Sequence, residues 1–180
     1  MIKTDLQELL LANLRDIQDF PSPGIVFKDI TPLLSNPECL SAVVDNMLEE
    51  VADFNPEVLV GVESRGFIIG AILASRLEIP FVPLRKSGKL PFTTFSESYG
   101  LEYGNDTLEI HTDAIPKGAR VLIHDDVLAT GGTALASAKL CEKAGAGELA
   151  FAFLMELSFL SGREKLSSYS NNIVSTLNIS

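Results

Sequence analysis

The feature that most constrains the fold is a segment in which an apolar run passes into two adjacent acids and then into a turn of small residues. The apolar run, residues 121–123, suits a strand that is covered on both faces, as strands of parallel sheets are. The acids are Asp125 and Asp126, and the Ala-Thr-Gly-Gly-Thr turn at 129–133 leaves backbone N–H groups open where a helix begins. Because an anion is favoured at such a helix start, the segment predicts a site for a ligand with a phosphate and either hydroxyl groups or a metal.

Two common phosphate loops are excluded. A Walker A loop requires Gly, four residues and then Gly-Lys-Ser/Thr, which occurs nowhere in the chain, and the dinucleotide fingerprint Gly-x-Gly-x-x-Gly is missing from this turn. The alternative is an ordinary strand-to-helix connection in which threonines cap the helix. Such a connection has no use for two acids at the end of a buried strand, so we favour a sugar phosphate site.

Hydrophobic periodicity along the chain predicts alternating strands and helices, and therefore a single α/β domain with a mainly parallel sheet and helices on both faces. In such sheets ligands bind at the carboxyl ends of the strands. The polar stretch from 85 to about 104 has no apolar periodicity, and a loop of that length is typical of a functional lid. The predicted helices cover residues 6–17, 37–51, 67–77 and 133–144, and the predicted strands cover 25–27, 58–62, 81–84, 107–110, 121–123, 149–154 and 173–177.

Composition narrows the class of protein. The net charge of −10 argues against a surface that coats nucleic acid. The longest apolar run, residues 67–74, is too short to span a bilayer. Only Cys39 and Cys141 are present, in apolar helical settings that favour buried free thiols over a disulfide or metal pair. We therefore expect a cytoplasmic protein with neither a membrane nor a nucleic-acid partner.

A second anion site is predicted where Glu63, Ser64, Arg65 and Gly66 follow one strand and open the next helix. Backbone N–H groups at a helix start, together with a guanidinium, attract an anion. Taken alone, capping by Glu63 and Ser64 with a solvated Arg65 explains these residues equally well. A phosphate site at another strand end favours the anion interpretation.

The predicted lid begins with three cations in five residues, Arg85, Lys86 and Lys89, in an otherwise acidic chain. A charge run is commonly a solvated surface, but cations on a lid would neutralise a bound pyrophosphate and exclude water. At the far end of the same stretch, Glu102 and Tyr103 lie between glycines. They suit a carboxyl group and a ring placed over a bound base, with an exposed turn as the alternative.

These motifs occur in an order that resembles one protein family. The set begins with Phe-Pro-x-Pro-Gly-Ile-Val-Phe-Lys-Asp-Ile at 20–30, continues through the motifs above and ends with Gly-Arg-Glu-Lys-Leu at 162–166. The ordered set resembles the adenine-specific branch of the type I phosphoribosyltransferase family over nearly the whole chain. Ala129 points to adenine, because most sister families have an acid at that position.

The resemblance implies the type I phosphoribosyltransferase fold, with a small N-terminal hood from about 1–35 and a flexible lid loop at about 85–104. It implies transfer of the 5-phosphoribosyl group of phosphoribosyl pyrophosphate (PRPP) to adenine, giving AMP and diphosphate. Mg²⁺ is implied as a cofactor that is bound mainly through PRPP, without a dedicated protein ligand. A homodimer and a cis peptide between Glu63 and Ser64 are implied as well.

The resemblance also assigns roles to residues. Glu102 would be the acid/base at adenine N7, with Tyr103 closing over the site. The remaining implied contacts are Asp125, Asp126, Ala129, Thr130, Gly131, Gly132 and Thr133 for the ribose and 5′-phosphate, Glu63, Ser64, Arg65, Arg85, Lys86 and Lys89 for pyrophosphate, and Val26, Phe27, Lys28, Val127 and Leu128 for adenine.

Other interpretations stay open at this point. Hypoxanthine, guanine or orotate would use the same PRPP chemistry, although Ala129 and the Leu-Glu-Tyr-Gly motif at 101–104 argue for adenine. A PRPP-sensing regulator would carry a basic nucleic-acid face, which this acidic chain lacks. A purely structural domain would leave the acid pair and the cations without purpose. Phe92 stands where the family usually has glycine, so the sequence does not fix where the predicted lid has its hinge or how ordered it is.

Overall fold

The computed structural model of the protein describes residues 3–101 and 104–180. The chain divides into two compact units, Met1–Asn46 and Met47–Ser180. The first contains the predicted hood and runs about eleven residues beyond it, and the second contains the large sheet.

The N-terminal unit is built around a two-stranded ribbon. Helix α1 (Lys3–Ala12) leads into β1 (Arg15–Gln18), which pairs antiparallel with β2 (Val26–Asp29), and the short helix α2 (Thr31–Leu34) follows. The sequence predicted one helix as far as Ile17, which is wrong, because Ile17 pairs with Phe27 in the ribbon. Arg15 also donates to the Asp29 carboxylate at 2.6 Å, so cross-strand partners outweigh the helical spacing here.

Helix α3 (Pro37–Val51) begins where the sequence predicts. The Asn36 side-chain oxygen accepts hydrogen bonds from the backbone N–H groups of Glu38 and Cys39 at 3.1 and 3.2 Å. Proline at the first helical position loses no helical hydrogen bond, because that N–H has no partner in the helix.

The C-terminal unit is a seven-stranded sheet in the order β5-β6-β4-β3-β7-β8-β9. The five strands from β4 to β9 in that order are parallel, and β5 and β6 form an antiparallel hairpin at one edge. The mainly parallel α/β sheet is therefore confirmed. The elements are β3 (Val58–Val62), α4 (Gly66–Leu77), β4 (Phe81–Lys86), β5 (Thr94–Leu101), β6 (Gly104–His111), β7 (Arg120–Leu128), α5 (Gly132–Lys143), β8 (Glu148–Leu157), α6 (Gly162–Leu166) and β9 (Ile173–Ile179), with single 3₁₀ turns at Ala52–Phe54 and Ser158–Leu160.

The strand order reverses between β3 and β7. The chain proceeds from β3 to β4 on one side, and from β7 through β8 to β9 on the other. Such a switch point leaves a crevice at the carboxyl ends of the two central strands, where ligands bind in open α/β sheets. The last β3–β7 pair is Gly61 with His124, so β7 continues past the point where β3 turns away.

Two strands differ from the sequence prediction. β7 does not stop before the acids but runs through them to Leu128, because β8 continues beside it and pairs Asp125 with Phe153. The stretch predicted as irregular from 85 to about 104 contains the end of β4 and all of β5. Among its described residues, the irregular part is 87–93. Phe95 and Tyr99 lie on the same face of β5 and pack against the core, which accounts for a strand here.

The core of this unit lies between the sheet and its helices, with Phe151 and Phe153 of β8 among its largest buried side chains. Both cysteines are buried and free, as predicted. Within the described ranges, no helix is both long and apolar enough to cross a membrane.

Candidate active site

The turn from β3 into α4 lies directly against the acid end of β7. A side-chain carbon added at Gly66 would stand 2.8 Å from the carbonyl oxygen of His124 and 3.1 Å from the Cα of Asp125. Glycine is therefore required where α4 begins. Arg65 and the acid pair are held together at the switch point by this close backbone approach.

The loop from β7 into α5 is shaped by Gly131, whose φ of +78° lies in the left-handed region. A side-chain carbon at this position would also stand 2.8 Å from the Gly162 carbonyl oxygen. No side chain in the described part of the chain caps the first turn of α5. Its first N–H groups are therefore the donors that an anion would meet.

Asp125 and Asp126 lie between the two helix starts. The Asp126 side chain is 5% exposed, and its Oδ2 lies 2.9 Å from Nε of Arg65. The Asp125 carboxylate accepts a hydrogen bond from the Asp126 backbone N–H at 2.8 Å. Burial and the neighbouring charge of Asp126 raise the pKa of Asp125 well above its usual value. Burial also raises the pKa of Asp126, but the Arg65 guanidinium opposes that shift.

The predicted pyrophosphate cations on β4 are each paired with a carboxylate. Arg85 contacts Glu63 at 3.2 Å, and Lys86 contacts Asp106 at 3.0 Å. Burial raises the pKa of Glu63, but hydrogen bonds from Arg85 and the Lys86 N–H outweigh it, and the pKa lies below its usual value. The hydrogen bond and charge of Asp106 raise the pKa of Lys86. Lys89 is exposed, and its carbonyl accepts a hydrogen bond from Arg85 at 3.2 Å.

Ser64 is exposed in the same turn, and the peptide bond between Glu63 and Ser64 is cis. The cis bond that the resemblance implied is therefore present.

The hairpin brings residues to the site that sequence reasoning missed. A side-chain carbon at Gly132 would lie 3.4 Å from the Gly100 carbonyl oxygen and 3.7 Å from the Tyr99 ring. Burial raises the pKa of the Tyr99 hydroxyl, against a hydrogen bond with Thr133 that lowers it. Asp106 lies 3.5 Å from the same hydroxyl. Alternation of apolar side chains at 95, 99 and 101 was the sequence signal for this strand.

The hairpin is fixed to α5 by one acid. Glu97 accepts hydrogen bonds from Lys139 at 3.1 Å and from Lys143 at 2.6 Å. Both lysines belong to α5, which begins at the β7–α5 loop. The hairpin and this loop are therefore both attached to α5.

The other predicted residues fall in three places. Val26, Phe27 and Lys28 form β2 of the N-terminal unit, where the Phe27 and Phe20 rings are 5.2 Å apart and Lys28 pairs with Asp16 at 2.7 Å. On β7, Val127 is half-buried and Leu128 is buried in the core. The predicted catalytic pair, Glu102 and Tyr103, lies outside the described residues.

Several titratable side chains near the site are already engaged within the protein. Among the residues that the structure describes, no group of three or more His, Cys, Asp or Glu side chains is arranged to hold a metal ion. Near the site, Asp126 and Glu63 already pair with arginines. His124 is buried with Nδ1 2.9 Å from the Ala152 carbonyl, and burial lowers its pKa to about 4. It is thus a neutral residue of strand β7.

Comparison with known proteins agrees with this geometry. The phosphoribosyl transferase domain model matches residues 29–178. The chain is 49% identical over 173 residues to an adenine phosphoribosyltransferase of Cytophaga hutchinsonii, covering 96% of each chain. It superposes with a TM-score of 0.91 on the crystal structure of the adenine phosphoribosyltransferase of Rhodothermus marinus. The two sequences are 50% identical, and the match covers 98% of this chain and 99% of that one.

A third relative was solved with ligands. The adenine phosphoribosyltransferase of Saccharomyces cerevisiae, complexed with an imino-altritol bisphosphate and adenine, matches with a TM-score of 0.88 at 40% identity, covering 97% of this chain and 99% of that one. The resemblance drawn from the motifs is thereby confirmed. With its switch-point site and these relatives, the chain belongs to the phosphoribosyltransferase family, among the adenine phosphoribosyltransferases.

Proposed function

We propose that the protein transfers the 5-phosphoribosyl group of PRPP to adenine, giving AMP and diphosphate in purine salvage. The observation that carries the proposal is the pair of helix starts on adjacent strands, with two acids between them. A ligand with a phosphate at each end and hydroxyls in the middle matches this arrangement. The yeast relative, which binds a bisphosphate together with adenine, supports the same two-ended ligand.

Each end of PRPP has its own partners in this proposal. The 5′-phosphate binds the backbone of Ala129, Thr130, Gly131 and Gly132 and the hydroxyl of Thr133. The ribose hydroxyls are held by Asp125 and Asp126, as hydroxyl donors are by carboxylates. The pyrophosphate binds the Glu63–Arg65 turn, with Arg85, Lys86 and Lys89 adding charge.

In the reaction, the bond from the anomeric carbon to diphosphate breaks, and its electron pair leaves with diphosphate. The adenine N9 lone pair forms the new bond, and adenine gives up one proton. Positive charge develops on the ribose between these events, so preorganised charges at the leaving side stabilise the transition state. When bound, Mg²⁺ would neutralise part of the diphosphate charge. Arg65 orients that leaving group from the protein side.

For adenine we propose contacts with Val127 and Leu128 of β7. The family motif at 20–30 assigns contacts with the base, largely through backbone groups, to Val26, Phe27 and Lys28. Glu102 would exchange a proton with N7, with Tyr103 over the ring. A carboxyl group that does this near neutral pH needs a raised pKa, which the loss of water around it when the substrates bind would supply. We further propose a homodimer and, because both thiols are buried and free, a reducing cytoplasmic location.

The direct test incubates the protein with PRPP, Mg²⁺ and each of adenine, hypoxanthine, guanine and orotate, and identifies the nucleotide by mass spectrometry. AMP alone is the expected product. A different nucleotide would reassign the base, and PRPP binding without any nucleotide would identify a regulator.

Glu102→Gln tests the proposed acid/base. The amide keeps the shape but cannot take a proton, so we expect kcat to fall by about 100-fold or more while the Kd for PRPP changes little. The measurement is steady-state turnover beside calorimetric PRPP binding. Wild-type turnover in this variant would remove Glu102 from the mechanism.

A further inference from the structure

Helix α6, the Gly-Arg-Glu-Lys-Leu segment at 162–166, lies directly behind the phosphate loop. A side-chain carbon at Gly162 would collide with the Ala129 carbonyl oxygen and would stand 3.1 Å from the Gly131 nitrogen. The same close approach appears from the other side, where Gly131 has no room because of the Gly162 carbonyl. The two backbones are therefore in contact, and the loop cannot move towards α6.

α6 itself is fixed by buried interactions at both ends. Leu166 is fully buried in the core. Arg163 donates to the buried Glu156 carboxylate at 3.1 Å and to the Ile173 carbonyl at 2.8 Å. Burial raises the pKa of Glu156, but the hydrogen bonds from Arg163 and Ser175 outweigh it and hold the pKa below its usual value. The segment is thus tied to β8 and β9 independently of the loop.

One side chain of α6 reaches the loop itself. The exposed Lys165 donates through Nζ to the Thr130 carbonyl oxygen at 2.7 Å. A trans peptide is planar, with its C=O and N–H on opposite sides. Holding the Thr130 carbonyl therefore also sets the direction of the Gly131 N–H. Because Gly131 is a glycine with positive φ, its flanking peptides would otherwise rotate at little cost.

We propose that Lys165 is a positioning residue for the 5′-phosphate: it holds the Thr130–Gly131 peptide so that the loop presents its N–H groups before the ligand arrives. This inference rests on the proposed function and deepens it. The backbone dipoles that bind the phosphate are then held in place by a residue outside the loop. The conformational entropy of ordering the loop is therefore lost when the protein folds, and not when the ligand binds.

The test compares Lys165→Met with wild type in calorimetric titrations of ribose 5-phosphate and, separately, of pyrophosphate, with steady-state kinetics beside them. Loss of a hydrogen bond from a charged donor weakens ribose 5-phosphate binding and raises the KM for PRPP by about tenfold. Pyrophosphate affinity and kcat stay within about twofold. Lys165→Arg, which keeps a charged donor, restores most of the affinity.

Two controls distinguish the loss of the Lys165 hydrogen bond from a general effect of removing one positive charge. Lys117→Met removes the same charge near the amino end of β7 and should leave ribose 5-phosphate binding unchanged. Repeating the titrations at about 0.5 M KCl screens a distant charge but leaves a contact hydrogen bond largely intact, so the tenfold difference should persist. A difference that disappears in salt, or equal weakening of both ligands, would overturn the positioning role.

Failure of the proposed role of Lys165 can be told apart from failure of the proposed function. Wild-type protein that binds ribose 5-phosphate but makes no AMP would refute the reaction and leave the role of Lys165 standing. Active wild type with an unaffected Lys165→Met variant would refute the role alone.

Discussion

The two helix starts at the switch point present different chemistry to an anion. The β7–α5 loop is made of small residues, has Gly131 at positive φ and is backed by α6. The β3–α4 turn instead carries Arg65, whose guanidinium contacts Asp126 at 2.9 Å. One site therefore offers fixed backbone dipoles, whereas the other offers a full charge on a flexible side chain.

This difference teaches how one ligand can be held at two ends in two ways. Backbone N–H groups bind by geometry, so their contribution depends on the shape of the loop and little on salt. Charged side chains bind by Coulomb attraction, which ions in solution screen where the site is open to water. The 5′-phosphate end of the ligand should thus be sensitive to shape, and the pyrophosphate end sensitive to ionic strength.

The largest effect is expected for Gly131→Val. A β-branched residue at φ +78° is strained, and its side-chain carbon would stand 2.8 Å from the Gly162 carbonyl, so the loop must change shape. Ribose 5-phosphate binding measured by calorimetry should weaken by at least about 100-fold. Gly118→Val is the matched control, because Gly118 has φ +81° with nothing within 4 Å of an added carbon. Wild-type affinity in Gly131→Val would contradict the loop assignment.

A smaller effect is expected for Arg65→Met. Removing charged hydrogen bonds should weaken pyrophosphate binding by about 1.5–3 kcal/mol at low salt, while ribose 5-phosphate binding changes little. Arg65→Lys keeps the positive charge but loses the planar guanidinium, so its pyrophosphate affinity should lie between those of the wild type and Arg65→Met. Titrations at two KCl concentrations should show a steeper salt dependence for pyrophosphate than for ribose 5-phosphate in the wild type. An equal salt dependence for the two ligands would contradict the proposed difference between the two anion sites.

The smallest effect concerns stability. Burial and Asp126 raise the pKa of Asp125, so the folded state binds a proton more tightly than the unfolded state. Its charge therefore costs stability progressively as pH rises from about 4 through the raised pKa. Asp125→Asn removes that cost and should gain on the order of 1 kcal/mol at neutral pH, or about 2–4 °C in Tm.

Thermal melts from pH 4 to 8 test this prediction, because the gain should vanish at the acidic end. Asp126→Asn is the matched control and should gain less, since it also loses the Arg65 ion pair. A constant gain across the whole pH range would rule out the titration of Asp125 as its cause.

The sequence predicted the elements whose signals are local. The apolar run of β3, the helical spacing of α4 and the start of α3 at residue 37 all depend on residues within a few positions of the structure that they specify. The acid pair and both glycine turns were also visible, because paired carboxylates are uncommon at the end of a buried strand and glycine marks a turn. Their spatial meeting followed from one rule, that parallel strands end at the same edge.

What the sequence did not reveal depends on partners distant along the chain. Asp125 belongs to a strand because Phe153 of β8 lies beside it. Ile17 leaves the helical pattern because Phe27 pairs with it. The contact of Gly162 with the loop joins segments about thirty residues apart, and no local pattern encodes it.

Three cations of the site, Arg65, Arg85 and Lys86, are paired with carboxylates of the same chain. Arg65 lies 2.9 Å from Asp126 and Lys86 lies 3.0 Å from Asp106. An incoming anion therefore gains only the difference between its own attraction and that of the carboxylate it displaces. That difference is smaller for a monovalent anion such as chloride than for a diphosphate, which carries more charge and more acceptor oxygens. The carboxylates Asp126 and Asp106 thus compete with any anion at these cations, and this competition favours a multivalent anion over chloride.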